Sequence, residues 1–219
     1  MPLIKHMLIP SENDLDGEVG LWRIEEEEAQ LQAGLWLSPE EHQQLALIKG
    51  QGRRREFLAA RQLLHQMSGR ASRGALAKDH FGKPHLIDSD YHISISHTQG
   101  LSAAIAHPNC CGIDIQIFVP KISRIAPRFM GQTEWQQLND DNRLTLQHLT
   151  WSAKEAMYKA YGKRELDFRE HLFVDLAEVD SVAGQTAGWL KKGWLTLQFK
   201  LHYQIFAEQY MLVFAVETT

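Results

Sequence analysis

Glu155 and Lys159 lie four residues apart in the stretch 151–162 (WSAKEAMYKAYG). That spacing sets both on one helix face, with Trp151 one turn before them. Alone, such a pair is the ordinary solvated ion pair of a helix surface, contributing about 0.2–0.5 kcal/mol. Here, however, Lys154, Glu155 and Lys159 fall among Trp151, Met157, Tyr158 and Tyr161, so the face is not cleanly polar. A carboxylate between two lysines can hold a metal, or take a proton beside a phosphate. Asp114 and Gln116 alternate with Ile113, Ile115 and Ile117, so in a strand they point to one side. Two carboxylates and an amide oxygen suit a hard cation such as Mg²⁺. Arg53, Arg61, Lys83 and His97 suit several phosphates. Converging, these groups would form a phosphoryl-transfer site.

Each group also has a plainer reading. An Asp at a strand end is commonly a turn residue, and His97 in an Ile-Ser-His segment is commonly a hydrogen-bonded structural histidine. The histidines at 80, 85, 92, 97 and 107 lack the spacing of a structural zinc site and have no suitably placed cysteine. No P-loop, dinucleotide-binding glycine pattern or nucleophile elbow is present.

The elements that must position these residues belong to a chain of 219 residues, 44% hydrophobic and 23% charged, which is enough for a core and argues against wholesale disorder. The net charge of −4 gives no electrostatic case for nucleic acid. The basic residues are nevertheless clustered, at Arg53, Arg54, Arg55, Arg61, Arg70 and Arg73. The adjacent Cys110 and Cys111 imply no disulfide framework and favour a reducing compartment. No apolar run is long enough to cross a membrane. Pro10 and the acidic stretch 12–16 replace a signal-peptide core, so a soluble cytoplasmic protein is expected.

The first nine residues form a short apolar segment that can be a strand. Residues 18–33 read as strand into helix or loop, with the acidic run 25–28 as a solvated face. Ser38, Pro39, Glu40 and Glu41 start a helix that runs to about residue 48. A second helix spans about 53–67 and stops at Gly69. Three arginines at its start are unfavourable beside a positive helix N-terminus, which favours a bound anion there. Residues 81–86 form a turn entering an extended segment. Strands follow at 91–97, 101–106 and 111–118, the first two joined by a turn at 98–100. The second half repeats the pattern, with helical segments at 122–129 and 132–139, a long helix from about 144 to 159 that stops at Gly162, and late strands at 168–174, 194–199 and 209–216. Short connections favour antiparallel pairing. The expectation is an α+β chain of two similar lobes meeting near 110–112.

These residues resemble the 4′-phosphopantetheinyl transferase superfamily, in its longer, monomeric, pseudo-dimeric (Sfp) type of holo-carrier-protein synthase. Phe81-Gly82-Lys83-Pro84 resembles the family's first motif, and residues 93–98 (ISISHT) resemble its Asn-Ile-Ser-His-Ser element. Gly112-Ile113-Asp114-Ile115-Gln116 is similar to Gly-Ile-Asp-Ile-Glu. Residues 151–162 match Trp-x-x-Lys-Glu-Ala-x-x-Lys-Ala-x-Gly nearly throughout, and 53–61 resemble the family's arginine-rich helix. Five motifs occur in order across about 38–163; beyond Leu166 there is little signature.

The resemblance implies two pseudo-symmetric lobes, each with a long helix on a small antiparallel sheet: 1–110, contacting the 3′-phosphate and adenine of coenzyme A, and 111–219, carrying metal and catalytic residues, with the active-site cleft between them. It implies Mg²⁺-dependent transfer of 4′-phosphopantetheine from coenzyme A to a serine of an apo acyl or peptidyl carrier protein, releasing 3′,5′-ADP. Asp114, Gln116 and Glu155 would hold Mg²⁺, with Mn²⁺ as a substitute. Glu155 would be the base and Lys159 would neutralise the pyrophosphate, with Asp114 as the third catalytic group. Lys154 would position phosphate; Arg53, Arg61 and His97 would hold the 3′-phosphate; Gly82, Lys83 and Pro84 would line the adenine side; and Ser96 would belong to the same coenzyme A site. No nucleic acid or membrane partner and a monomer are implied. The family usually has Glu where this chain has Gln116. The site thus loses a negative charge, the metal should bind more weakly, and Gln116→Glu should lower the Mg²⁺ requirement. Two phosphate-binding lysines of some members are replaced by Glu41 and Gln44. The alternative is a non-catalytic coenzyme A or carrier-protein binding module descended from such an enzyme.

Overall fold

The computed structural model describes residues 3–10, 15–69, 74–180 and 182–218. Arg70 and Arg73 of the basic cluster, and residues 12–14 of the acidic stretch, lie outside them. The chain divides into two units, Met1–Pro108 and Asn109–Thr219. It is an α+β protein in which helices pack on antiparallel sheets.

In the first unit, strands β1 (Leu3–Ile9), β2 (Gly17–Arg23), β3 (Leu76–Lys78), β4 (Pro84–Leu86), β5 (His92–Thr98) and β6 (Leu101–His107) form a sheet of order β1-β2-β6-β5-β4-β3. Thr98 pairs with Leu101 across the expected turn. Three helices follow β2: α1 (Glu28–Ala33), α2 (Pro39–Leu47) and α3 (Gln51–Ser68). The start of α2 is a capping box: the Ser38 hydroxyl accepts from the Glu41 amide, and the Glu41 carboxylate accepts from the Ser38 amide. In α3, Leu58, Ala59, Leu63, Leu64 and Met67 recur at helical spacing and bury against Trp22, Ile93 and Ala104 of the sheet. Gly69, in the left-handed region at φ 60°, ends the helix.

The second unit has β7 (Cys111–Ile117), helices α4 (Ile122–Ile125), α5 (Gln132–Gln136), α6 (Arg143–Tyr161) and α7 (Phe168–His171), then β8 (Leu172–Val174), β9 (Ala183–Lys192), β10 (Leu195–Phe206) and β11 (Tyr210–Thr218). The sheet order is β7-β11-β10-β9-β8. Ala153, Ala156, Met157 and Ala160 of α6 are buried with Leu201, Met211, Val213 and Ala215 of the sheet. The helix comes down on β7 at Gly112, where a Cβ would stand 1.9 Å from the Ala156 carbonyl oxygen and 2.7 Å from the Ala160 nitrogen. Only glycine permits this approach, and the approach sets the helix against the strand that carries Asp114 and Gln116.

Two expectations for the late chain change. Residues 168–171 are a short helix rather than strand, because the Asp167 carboxylate accepts from the amides of Arg169 and Glu170 and caps it. β9 was not foreseen: AGQTAGWLKK offers little β-branched character, and its pairing along β8 and β10 supplies what local propensity does not.

Candidate functional site

Contacts along β7 and α6 form an ordered ladder. Asp114, Gln116 and Phe118 all face the helix, as their alternation requires. Asp114 accepts from the Lys159 ammonium at 2.9 Å, the Gln116 amide nitrogen donates to Ser152 and His148, and the Phe118 ring meets the His148 ring at 4.6 Å. The helix runs antiparallel to the strand. Helical side chains lean towards the N-terminus, so Lys159 reaches back from the level of Gly112 to Asp114 and the Ile113 carbonyl, both at 2.9 Å. Glu155 lies on the helix between Ser152 and Lys159, hence between Gln116 and Asp114. Burial pushes its carboxyl above the ordinary range; the negative charge of Asp114 adds to this, and Lys159 opposes it. Two carboxylates and one ammonium thus meet at a half-buried face. An acid held above its usual pKa there is a competent proton acceptor near neutral pH.

The donor set also fits a hard cation. Asp114, Glu155 and the Gln116 oxygen are all oxygen ligands, and the mutual repulsion of the two carboxylates is the charge that a cation relieves. Among the described residues no three His, Cys, Asp or Glu side chains gather as a metal cluster, so a cation here depends on the amide as its third ligand.

Lys154, adjacent in sequence, is not part of this face. Its side chain is 0% exposed, and its ammonium donates to Glu134 at 2.7 Å and to the carbonyls of Phe129 and Phe168 at 2.6 and 3.0 Å. All three ammonium protons have acceptors inside the protein. Glu134 in turn accepts from the amides of Gly131 and Val174. Burial pushes the Glu134 carboxyl up and the Lys154 ammonium down, each opposed by the other's charge. This replaces the expected phosphate-positioning role: the pair ties α5, α6 and β8 together. Trp151 packs on Phe129 and Phe168 beside it.

In the first unit, a cavity of about 1060 Å³ opens at the start of α3, at the upper end of the range for small-molecule pockets. Arg53, Arg61, Gly82, Pro84 and His97 of the expected site line it, although they come from α3, the turn before β4, and β5. Arg53 is exposed and has no partner among the described residues. Arg54 and Arg55 are answered instead by Glu28 and Glu27, so the acidic run is not merely solvated, and it removes part of the anomaly of a basic helix start. No side chain caps the α3 N-terminus at Gly50. Arg61 lies across the Phe57 ring, 3.3 Å from its centroid, with its Nε donating to Glu41 at 2.8 Å. That ion pair is almost fully buried, so Arg61 forms the floor of the cavity rather than a mobile cation.

Two expected residues lie elsewhere. Ser96 is buried on the opposite face of β5 from Ile95 and His97, because strand side chains alternate. Lys83 is absent from the lining; its backbone amide donates to Asp79, and its charge is felt at His92. Conversely, Gln44, Lys49, Phe57 and Lys78 line the cavity without having been singled out as site residues. Lys49 could have been found, since it stands four residues before Arg53. Lys78 could not: it is brought in by β3–β4 pairing, where it lies opposite Pro84.

The β7–α6 face lies within a stretch of the chain that matches a family model. Residues 110–215 match the model of the 4′-phosphopantetheinyl transferase superfamily. The antiparallel sheets with helices packed on them are consistent with that family's fold. A protein of Synechocystis sp. that carries the name 4′-phosphopantetheinyl transferase is 35% identical over 92 residues. That match covers 37% of this chain and 37% of the relative, so the chain spans little more than a third of the relative's length. No helix among the described residues is long and apolar enough to cross a membrane.

Proposed function

We propose that this protein is a 4′-phosphopantetheinyl transferase of the longer, two-lobed type, moving phosphopantetheine from coenzyme A to the serine of an apo acyl or peptidyl carrier protein. The observation that carries the reading is the β7–α6 face, where the Lys159 ammonium donates to Asp114 at 2.9 Å, Gln116 is held against Ser152, and Glu155 stands on the helix between Ser152 and Lys159. The family match over the same residues supports it.

In this reading the first-unit cavity takes the nucleotide end of coenzyme A. Arg53, Lys49, Lys78 and His97 face the 3′-phosphate, and Gly82, Pro84, Ile95 and Phe57 face the adenine. The β7–α6 face of the second unit takes the pyrophosphate. Glu155 accepts the proton of the carrier serine. The serine oxygen then bonds to the phosphorus bearing the pantetheine arm, the bond from that phosphorus to the bridging oxygen breaks, and 3′,5′-ADP leaves with the electron pair. Lys159, already donating to two oxygens, is placed to neutralise the charge that develops on the bridging oxygen. Asp114 orients Lys159. Asp114, Glu155 and Gln116 would hold Mg²⁺ or Mn²⁺, which when bound neutralises pyrophosphate charge.

The test is mass spectrometry of a panel of apo carrier proteins incubated with coenzyme A and Mg²⁺. The expected result is a phosphopantetheine mass gain on at least one carrier, lost when its serine is replaced by alanine. No gain on any carrier at high enzyme and Mg²⁺ would sink the proposal. Coenzyme A binding in calorimetry without turnover would instead favour a binding module.

A further inference from the structure

Gln116 looks like a weakened metal ligand when read by charge alone. Its surroundings say otherwise. The amide nitrogen donates to the Ser152 hydroxyl oxygen at 2.8 Å and to the main-chain carbonyl of His148 at 3.1 Å. A carbonyl oxygen only accepts. The amide atom facing it must therefore be nitrogen, which settles the orientation of a group whose two ends otherwise look alike. Both nitrogen protons are used against α6, and the amide oxygen is turned away from those acceptors.

A glutamate of the same length would place a carboxylate oxygen about 3 Å from the His148 carbonyl oxygen with no proton between them, the unpaired contact that burial makes most unfavourable. Ser152 is fully buried; its hydroxyl can turn to donate, but the carbonyl cannot. The carbonyl is fixed in the second turn of α6, whose placement is set further along by the Gly112 contact.

We infer that position 116 is built for an amide: the His148 carbonyl and the Ser152 hydroxyl hold the glutamine nitrogen so that its oxygen serves as a neutral ligand beside Asp114 and Glu155. The metal half of this inference rests on the transferase reading; the amide half does not. Ser152 is accordingly a positioning residue, acting through Gln116. The consequence is opposite to a count of charges. Gln116→Glu does not tighten the metal site, because the new carboxylate must swing off the helix and also adds a third negative group beside Asp114 and Glu155.

The experiment combines melting of the full chain in a chelator with titration of Mn²⁺ alone, followed by the resonance of the free ion. Gln116→Glu is expected to lower the metal-free melting temperature by on the order of 5 °C and to leave Mn²⁺ affinity unchanged or weaker. Ser152→Ala is expected to keep a cooperative transition while weakening Mn²⁺ by about three- to tenfold. A purely structural serine would not move that readout. In a double-mutant cycle, Gln116→Ala and Ser152→Ala should be non-additive for Mn²⁺. A Gln116→Glu protein that melts like the native chain and binds Mn²⁺ tenfold more tightly would overturn the inference. Native protein that binds no Mn²⁺, even with coenzyme A at saturation, would overturn the ligand role of the amide oxygen. The metal-free melting then still decides the amide preference, and the carrier-protein assay decides the transferase reading separately.

Discussion

On the long helix of each unit, one cation that is closed off can be set against one that is open. On α3, Arg61 is locked to buried Glu41 and stacked on Phe57, whereas Arg53, two turns earlier, is exposed at the cavity mouth. On α6, Lys154 is locked to buried Glu134, whereas Lys159 meets Asp114 at a face that also holds Glu155. The two lysine–carboxylate distances, 2.7 and 2.9 Å, hardly differ. What differs is burial: the Lys154 side chain is 0% exposed and that of Lys159 is 27% exposed. Lys154 has an acceptor for every proton and no access to water, so it can only hold the fold. Lys159 stands beside a second, uncompensated carboxylate and can respond to a ligand. Proximity of opposite charges does not separate a structural pair from a functional one; burial and the neighbouring charges do.

The separation can be broken first at the open end of α6. Glu155→Ala is expected to reduce transfer to a carrier protein by about 10²- to 10⁴-fold, the range for loss of a general base. Circular dichroism should be native. A variant retaining more than a tenth of the native rate would remove Glu155 from the chemistry. At the closed end the loss should fall on stability instead. Lys154→Met leaves Glu134 buried and unpaired, which costs about 3–5 kcal/mol. Denaturant unfolding should show the midpoint falling, while the transfer rate per folded molecule at low temperature stays within a few fold of native. If the rate collapses with the fold intact, the closed pair belongs to the site after all.

The first unit gives the same contrast at smaller size. Arg53→Ala is expected to weaken coenzyme A by about ten- to a hundredfold, as for loss of a charge-assisted hydrogen bond of roughly 1.5–3 kcal/mol, with melting unchanged. The binding of 3′-dephospho-coenzyme A should barely respond to the substitution. Arg61→Ala should lower the melting temperature, since Glu41 is left buried. Equal effects of Arg53→Ala on the two ligands, read by calorimetry, would move the 3′-phosphate away from Arg53.

How much of this was legible beforehand follows from the same distinction. The strand alternation that put Asp114 and Gln116 on one side is a local rule, and it held. So did the helix stops at Gly69 and Gly162, both in the left-handed region at φ 60° and 70°. The sequence spacing of Lys154, Glu155 and Lys159 correctly describes one helix but not which neighbours each side chain meets. Adjacent residues on a helix point about 100° apart, and here that angle separates the interior from the β7 face. Glu134 and Glu41, which close off Lys154 and Arg61, lie 20 residues from their partners, beyond any periodicity. Lys83 and Ser96 do not line the cavity although Gly82 and His97 beside them do; for Ser96 the reason is strand alternation, which reverses the side chain at each residue.

The smallest effect tests whether Glu155 is held in tension at the open face. Its folded-state pKa lies above the ordinary 4.5, through burial first and the Asp114 charge second. For an acid shifted upwards, the folded state binds the proton more readily than the unfolded chain. That contribution to stability is fully present below about 4.5 and is lost as pH rises through the folded-state pKa. Glu155→Gln cannot titrate and keeps the shape. In chelator, the stability of Glu155→Gln minus that of the native chain should therefore be lower at pH 4 than at pH 8. Taking the difference removes the groups common to both proteins, including His148, which burial shifts the other way. A difference that is flat with pH would mean that Asp114 and the surrounding burial leave Glu155 an ordinary carboxylate. The open face would then lack the uncompensated charge that distinguishes it from the Lys154–Glu134 pair.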